Sequence, residues 1–180
     1  MTNFAPKPIA IVMVGIPGCG KSTITKQLIQ GIKKTDGAHS VFVYSLDSII
    51  EPIANEMSMT YSDAFDEYVE SAKKMCDLGL ERSIEAGNPI VIDLTNVTKQ
   101  HRKEWIERLS PTHRVSAVQL VFVPALHSEA WTKRLDNREN KFIPHSVMSR
   151  MLSQFEPVDD SEGFYEVLRV NTFEGKTDDS

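Results

Sequence analysis

From Gly15 to Thr23 the chain reads Gly-Ile-Pro-Gly-Cys-Gly-Lys-Ser-Thr. Glycine, four residues, then glycine, lysine and a hydroxyl is the spacing of an anion-binding loop. The glycines let backbone N–H groups turn inward, the lysine adds a mobile positive charge, and the serine hydroxyl is a hard oxygen donor. An apolar run, Ile9 to Val14, precedes the loop, and Ile24, Leu28 and Ile32 follow at helical spacing. The loop therefore stands at a strand-to-helix junction, where the helix N-terminus adds unsatisfied donors and the positive end of its dipole. These features predict a nucleoside triphosphate. Gly15, Pro17, Gly18, Cys19, Gly20, Lys21, Ser22 and Thr23 are its expected contacts. Lys21 should reach the β- and γ-phosphates, Ser22 should ligate Mg²⁺, and Thr23 should face the α-phosphate. Cys19 reads as a small residue filling the loop, with a thiol that nearby helix donors are expected to activate toward alkylation.

Triphosphate loops serve switches, motors and phosphotransferases alike, so other residues must decide. The nearest match to a guanine-reading Asn-Lys-x-Asp segment is Asn140-Lys141-Phe142-Ile143, which lacks the aspartate. An oligomeric ATPase would place adjacent acids after its metal-binding strand, whereas Asp93 is followed by Leu94. Small kinases instead need a base beside the acceptor hydroxyl and a basic lid over the transferring phosphoryl, because their chemistry is mostly positioning and charge neutralisation. Asp47 follows "VFVYSL" at the rim where ligands bind in open parallel sheets, and suits the general base. Its other reading is an N-cap for the helix beginning at Ser48. Asp93, ending "IVID", is expected to hold Mg²⁺ through water, with Asp47 a second candidate contact. Thr95 and Asn96 lie on the same rim, fitted either to touch substrate or to order their loop. Arg134 and Arg138 are spaced i, i+4, which puts both on one helix face. Their position before "FIPHSV" points to a lid over about residues 134–143 that brings guanidiniums onto the γ-phosphate.

These residues need a frame. "SVFVYSL", "NPIVIDL", "VSAVQLVFVP" and "YEVLRVN" read as four further strands, separated by helical stretches at 61–86, 99–109, 128–135 and 146–155. Strands alternating with helices predict an α/β fold, a parallel sheet with helices on both faces. The 180 residues are expected to form one domain, with 174–180 an acidic tail. Twenty basic and 25 acidic residues leave a net charge of −5, which argues against a surface coated by nucleic acid or lying on a membrane. Two cysteines without metal-ligand spacing argue against a disulfide framework or zinc site, and a cytoplasmic protein is expected.

Taken in order, "GIPGCGKST", Asp47, "DLTNVTKQHRKEW", Arg134/Arg138, "IPHSVMSRM" and "FEP…EGF" resemble the polynucleotide kinase family, in particular its bacteriophage-type kinase domain. The resemblance spans about residues 9–170. It implies an adenylate-kinase-like fold, a five-stranded parallel sheet with the P-loop strand in the middle. It further implies ATP and Mg²⁺ as cofactors, Lys21 and Ser22 on phosphates and metal, Asp47 as base, and Arg134 or Arg138 as lid arginine. Thr95, Asn96 and Arg102 match the segment after the third strand and its helix, and would face the acceptor. Where the phage-type enzymes carry an acceptor-binding arginine three residues after the base, this chain has Ile50, which could pack against a base. The expected acceptor is a polynucleotide 5′-hydroxyl. A hydroxymethylated base in DNA, or a small alcohol or nucleoside, is the alternative, and the chain is expected to carry kinase activity without an attached phosphatase. Lys99, His101, Arg102 and Lys103 would supply phosphate contacts, and Phe65, Tyr68 and Trp105 either stack on a base or pack in the core.

Overall fold

The structure is a computed structural model that describes residues 6–35, 40–136 and 145–173. Five strands, β1 (Ile9–Val14), β2 (Phe42–Tyr44), β3 (Ile90–Ile92), β4 (Arg114–Val121) and β5 (Val167–Asn171), form one parallel sheet in the order β2-β3-β1-β4-β5. The expected architecture is present, with the strand that carries the anion loop in the middle. β1 is apolar throughout because both its faces are covered: Ala10, Val12 and Val14 enter one core cluster, and Ile11 and Met13 enter the other.

Among the described residues six α-helices fill the crossovers: α1 (Lys21–Thr35), α2 (Asp47–Glu56), α3 (Tyr61–Glu85), α4 (Lys99–Leu109), α5 (Pro124–Asp136) and α6 (His145–Ser153). β4 ends at Val121, and Pro124 opens α5 instead of closing the strand, a position where proline's missing N–H costs nothing. α3 starts on a capping threonine, Thr60, whose hydroxyl accepts the Asp63 amide. α2 and α3 form a hairpin whose core cluster is built from Ile50 and three alanines, Ala54, Ala64 and Ala72, whose small side chains leave room for the isoleucine. Among the described residues no helix is long and apolar enough to cross a membrane.

Candidate active site

The anion loop joins β1 to α1, and its shape depends on two glycines in left-handed conformation, Gly18 (φ 84°) and Gly20 (φ 96°). A side chain at Gly18 would run into Trp131 and Leu135 of α5 at 2.9 Å, and one at Gly20 into Thr172 at 3.1 Å. The loop thus has a protein wall behind it. Trp131 Nε1 donates to the Pro17 carbonyl at 2.7 Å, and the Thr172 hydroxyl donates to the Cys19 carbonyl at 2.6 Å. Lys21 folds back over the loop and donates to the carbonyls of Gly15 (2.9 Å) and Ile16 (3.0 Å). Lys21 and Ser22 are the first residues of α1, so their amides have no acceptor one turn back within the helix. A phosphate at this point meets a helix N-terminus, a lysine and a hydroxyl together.

Two carboxylates stand on the same rim. Asp47 opens α2 directly after β2, and Asp93 follows β3, where its amide donates to the Tyr44 carbonyl at 2.9 Å and keeps the ends of β2 and β3 in step. The residue preceding α2 is Leu46, and no side chain caps that helix, so Asp47 is not its N-cap. The Tyr61 phenol, from the first turn of α3, donates to Asp47 Oδ1 at 2.5 Å. Lys21, Ser22, Asp47, Asp93 and Thr95 all line one open cleft of about 850 Å³. Its far wall comes from α3 (Tyr61, Phe65, Asp66), α4 (His101, Glu104, Trp105, Arg108) and α6 (Val147, Arg150, Met151). Among the described residues no three His, Cys, Asp or Glu side chains cluster as a metal cage. The hard oxygens of Ser22, Asp93 and Asp47 fit Mg²⁺, which typically takes one or two carboxylates and completes its shell with phosphate and water.

Of the residues expected at the acceptor, Thr95 and Asn96 line the cleft, and Ile50 and Arg102 lie elsewhere. Ile50 is fully buried in the α2–α3 core and does not line the cleft, because the hairpin folds that face of α2 inward. Arg102 is also fully buried. Its Nη2 and Nε each lie 2.7 Å from a Glu162 carboxylate oxygen, and Nη1 donates to the carbonyls of Asn96 and Glu156. It straps residues 156–162 onto α4 and has no exposed face for substrate. Asn96 is 3% exposed and turns its loop at φ 46°. Its side chain donates to the Met13 carbonyl at 2.7 Å and accepts from Trp105 Nε1 at 3.0 Å, so it orders the loop. Neighbouring Thr95 also holds the anion loop, its carbonyl accepting the Gly15 amide at 2.9 Å.

The arginine pair divides. Arg134 sits on α5 behind the anion loop, bonded to Thr172 and stacked on the Phe173 ring at 4.1 Å, and does not line the cleft. Arg138 and most of the expected lid lie outside the described residues. Besides Lys21, the cleft is lined by two arginines, Arg108 and Arg150, that sequence did not single out. Arg108 looks like one charge on a solvated helix face, and in fact pairs with Asp77 (2.8 Å) and Glu81 (3.9 Å). Arg150 had a weak signal in its place on the helix just after the lid segment. Of the aromatic residues, Phe65 and Trp105 face the cleft, whereas Tyr68 turns its hydroxyl to Met57. Cys19 is fully buried, which denies its thiol the exposure that reactivity toward alkylators requires.

A central strand, a glycine-rich loop opening a helix, and carboxylates following β2 and β3 on one side of it define a P-loop nucleotide-binding protein with the kinase form of that fold. A family profile described as an AAA domain matches residues 11–158, and the chain belongs to that family. Over 110 residues it is 32% identical to the 6-phosphofructo-2-kinase/fructose-2,6-bisphosphatase of Caenorhabditis elegans, an alignment covering 56% of this chain and 24% of that protein. Among solved structures it resembles a chain of the Pnkp1/Rnl/Hen1 RNA repair complex, with TM-score 0.63, 21% identity, and 85% of this chain and 45% of that chain covered. It also resembles Kti12 of Chaetomium thermophilum in complex with ADP-AlF3, with TM-score 0.61, 17% identity and coverage of 93% and 91%. A sugar kinase from Janibacter follows, with TM-score 0.54, 19% identity and coverage of 91% and 85%. At such identities the structural likeness is one of fold. The chain spans about a quarter of the curated relative and under half of the RNA repair chain.

Proposed function

We propose that this chain is an ATP-dependent kinase that moves the γ-phosphoryl group to an alcohol held beside Asp47. The observation that carries this reading is the convergence of Lys21, Ser22, Asp47 and Asp93 on one cleft. Lys21 exchanges the carbonyls of Gly15 and Ile16 for phosphate oxygens. Asp47 accepts the acceptor's proton as the alcohol oxygen bonds to the γ-phosphorus and the bond from that phosphorus to the β–γ bridging oxygen breaks, with ADP the leaving group. Ser22 and Asp93 would hold Mg²⁺, which would supply neutralisation of phosphate charge. Arg150 stands on the opposite wall, where a guanidinium adds to that neutralisation.

The acceptor side of the cleft favours a small alcohol without a phosphate backbone. Ile50 and Arg102 are buried and offer an incoming phosphate nothing, Arg108 is paired with acids, and Asp66 and Glu104 line the outer wall. A polynucleotide 5′-hydroxyl is the second reading. It draws on the motif order described above, on the likeness to the RNA repair complex chain, and on His101 and Arg150 as cleft-facing groups able to meet a terminal phosphate.

The test is γ-labelled ATP with a panel of sugars, polyols, nucleosides, 5′-hydroxyl oligonucleotides and hydroxymethyl-base duplexes. Transfer to a small alcohol with little salt dependence supports the first reading. Transfer restricted to oligonucleotides, weakening steeply with salt, replaces it with the second. Tight ATP binding with no transfer to any acceptor overturns the kinase reading. Asp47→Asn should abolish transfer while leaving ATP binding intact, and undiminished transfer by that variant removes Asp47 from the base role.

A further inference from the structure

We infer that Tyr61 is a positioning residue for phosphoryl transfer, holding the Asp47 carboxylate in the orientation from which it takes the acceptor's proton. This rests on the kinase reading above and adds a second helix to its chemistry. Asp47 lies in the first turn of α2, with no side-chain cap to fix that end of the helix. Tyr61 comes from the first turn of α3, on the other arm of the hairpin, and its phenol donates to Asp47 Oδ1 at 2.5 Å.

The phenol is itself held. The Tyr61 ring lies 5.9 Å from that of Phe65 one turn on, and both pack against the core of Ile50, Ala54 and Ala64. Thr60 caps α3 immediately before Tyr61 by accepting the Asp63 amide. The base is thereby referenced to a 25-residue helix that also walls the cleft. A carboxylate on a two-bond side chain has several rotamers open to it, proton transfer is efficient only in those that face the alcohol, and the phenol favours one of them. Deleting the phenol oxygen should leave the hairpin packed and remove this one restraint on the carboxylate.

The experiment is Tyr61→Phe, which keeps the ring and removes the hydrogen bond, assayed with the best acceptor from the panel. The expected result is a fall in kcat of about tenfold or more, on the scale of one hydrogen bond to a charged group. The ATP dissociation constant, the acceptor KM and the melting temperature should stay close to wild type. In an Asp47→Ala background, single-turnover rates with and without Tyr61→Phe should coincide, because the phenol then has no carboxylate to orient. A Tyr61→Phe enzyme with wild-type kcat overturns the inference. So does a loss that appears in acceptor KM or in ATP binding, or one that persists undiminished without Asp47. If Asp47→Asn transfers normally, the base assignment itself has failed, and that outcome is distinguishable from failure of Tyr61 alone.

Discussion

Arg134 grips Thr172 with both ends of its guanidinium: Nη1 donates to the hydroxyl at 3.0 Å and Nη2 to the carbonyl at 2.6 Å. Thr172 in turn donates its hydroxyl proton to the Cys19 carbonyl at 2.6 Å. An arginine expected over the phosphates instead braces the anion loop from behind, through a residue 38 positions further along the chain.

Thr172→Val should break this brace while keeping its shape. It removes the hydroxyl that accepts from Arg134 Nη1 and donates to the Cys19 carbonyl, leaving only the backbone carbonyl for Nη2, at a cost of about 1–2 kcal/mol in stability. The loop should loosen and ATP affinity fall several-fold. Trp131, bonded to the Pro17 carbonyl, serves as the fluorescent reporter for the titration.

Lys21→Met should lower kcat/KM by about 100-fold or more, the scale expected when one charge-stabilising group is lost from a transferring phosphoryl. It should also weaken ATP binding, measured by the same titration. The fold should survive, since the substitution alters one side chain that lines the open cleft and leaves the sheet and its two cores intact.

Arg102→Ala should be among the most damaging substitutions in the chain. It strands Glu162, 9% exposed, and leaves the Asn96 and Glu156 carbonyls without their donor. Breaking a buried ion pair from one side costs about 3–5 kcal/mol, visible as a lower urea midpoint. Burial pushes the Glu162 carboxyl up, but the Arg102 hydrogen bond and the Asp159 amide outweigh it and hold it below its ordinary 4.5. Its stabilising contribution is therefore complete above about pH 4.5 and is lost as pH falls further. Glu162→Gln should flatten that acid limb.

His113 gives a second pH dependence at milder acidity. Burial lowers its pKa from 6.5, only partly opposed by the bond to the Asn88 carbonyl. The unfolded chain then binds the proton more readily than the folded one, so stability is complete above about pH 6.5 and declines as pH falls below it. Urea midpoints between about pH 5 and 7.5 should drop for the wild type and stay nearly level for His113→Gln.

The strands, their parallel arrangement and the anion loop were legible before any coordinates. An apolar run that does not alternate needs cover on both faces, and the Gly15–Thr23 spacing specifies its backbone locally. The rim positions of Asp47 and Asp93 were legible for the same reason, since the residue after a parallel strand falls at the sheet's carboxyl edge. Arg102 was not, because an arginine among Lys99, His101 and Lys103 looks like part of a solvated face. Only the strand of chain at 156–162, folded across α4, closes it off.

Sequence alone therefore determined the parts whose geometry is carried by neighbours along the chain: the anion loop, the β1 core strand and the two carboxylates at strand ends. Tertiary structure decided which side chains meet across distance. It sent Ile50 into a helix hairpin, Arg134 to the back of the loop, and Tyr61 onto Asp47. The physical reason is that a strand or tight turn fixes its own backbone within a few residues. A long side chain on a helix, by contrast, takes its environment from whatever segment packs against that face, and local spacing does not encode that segment.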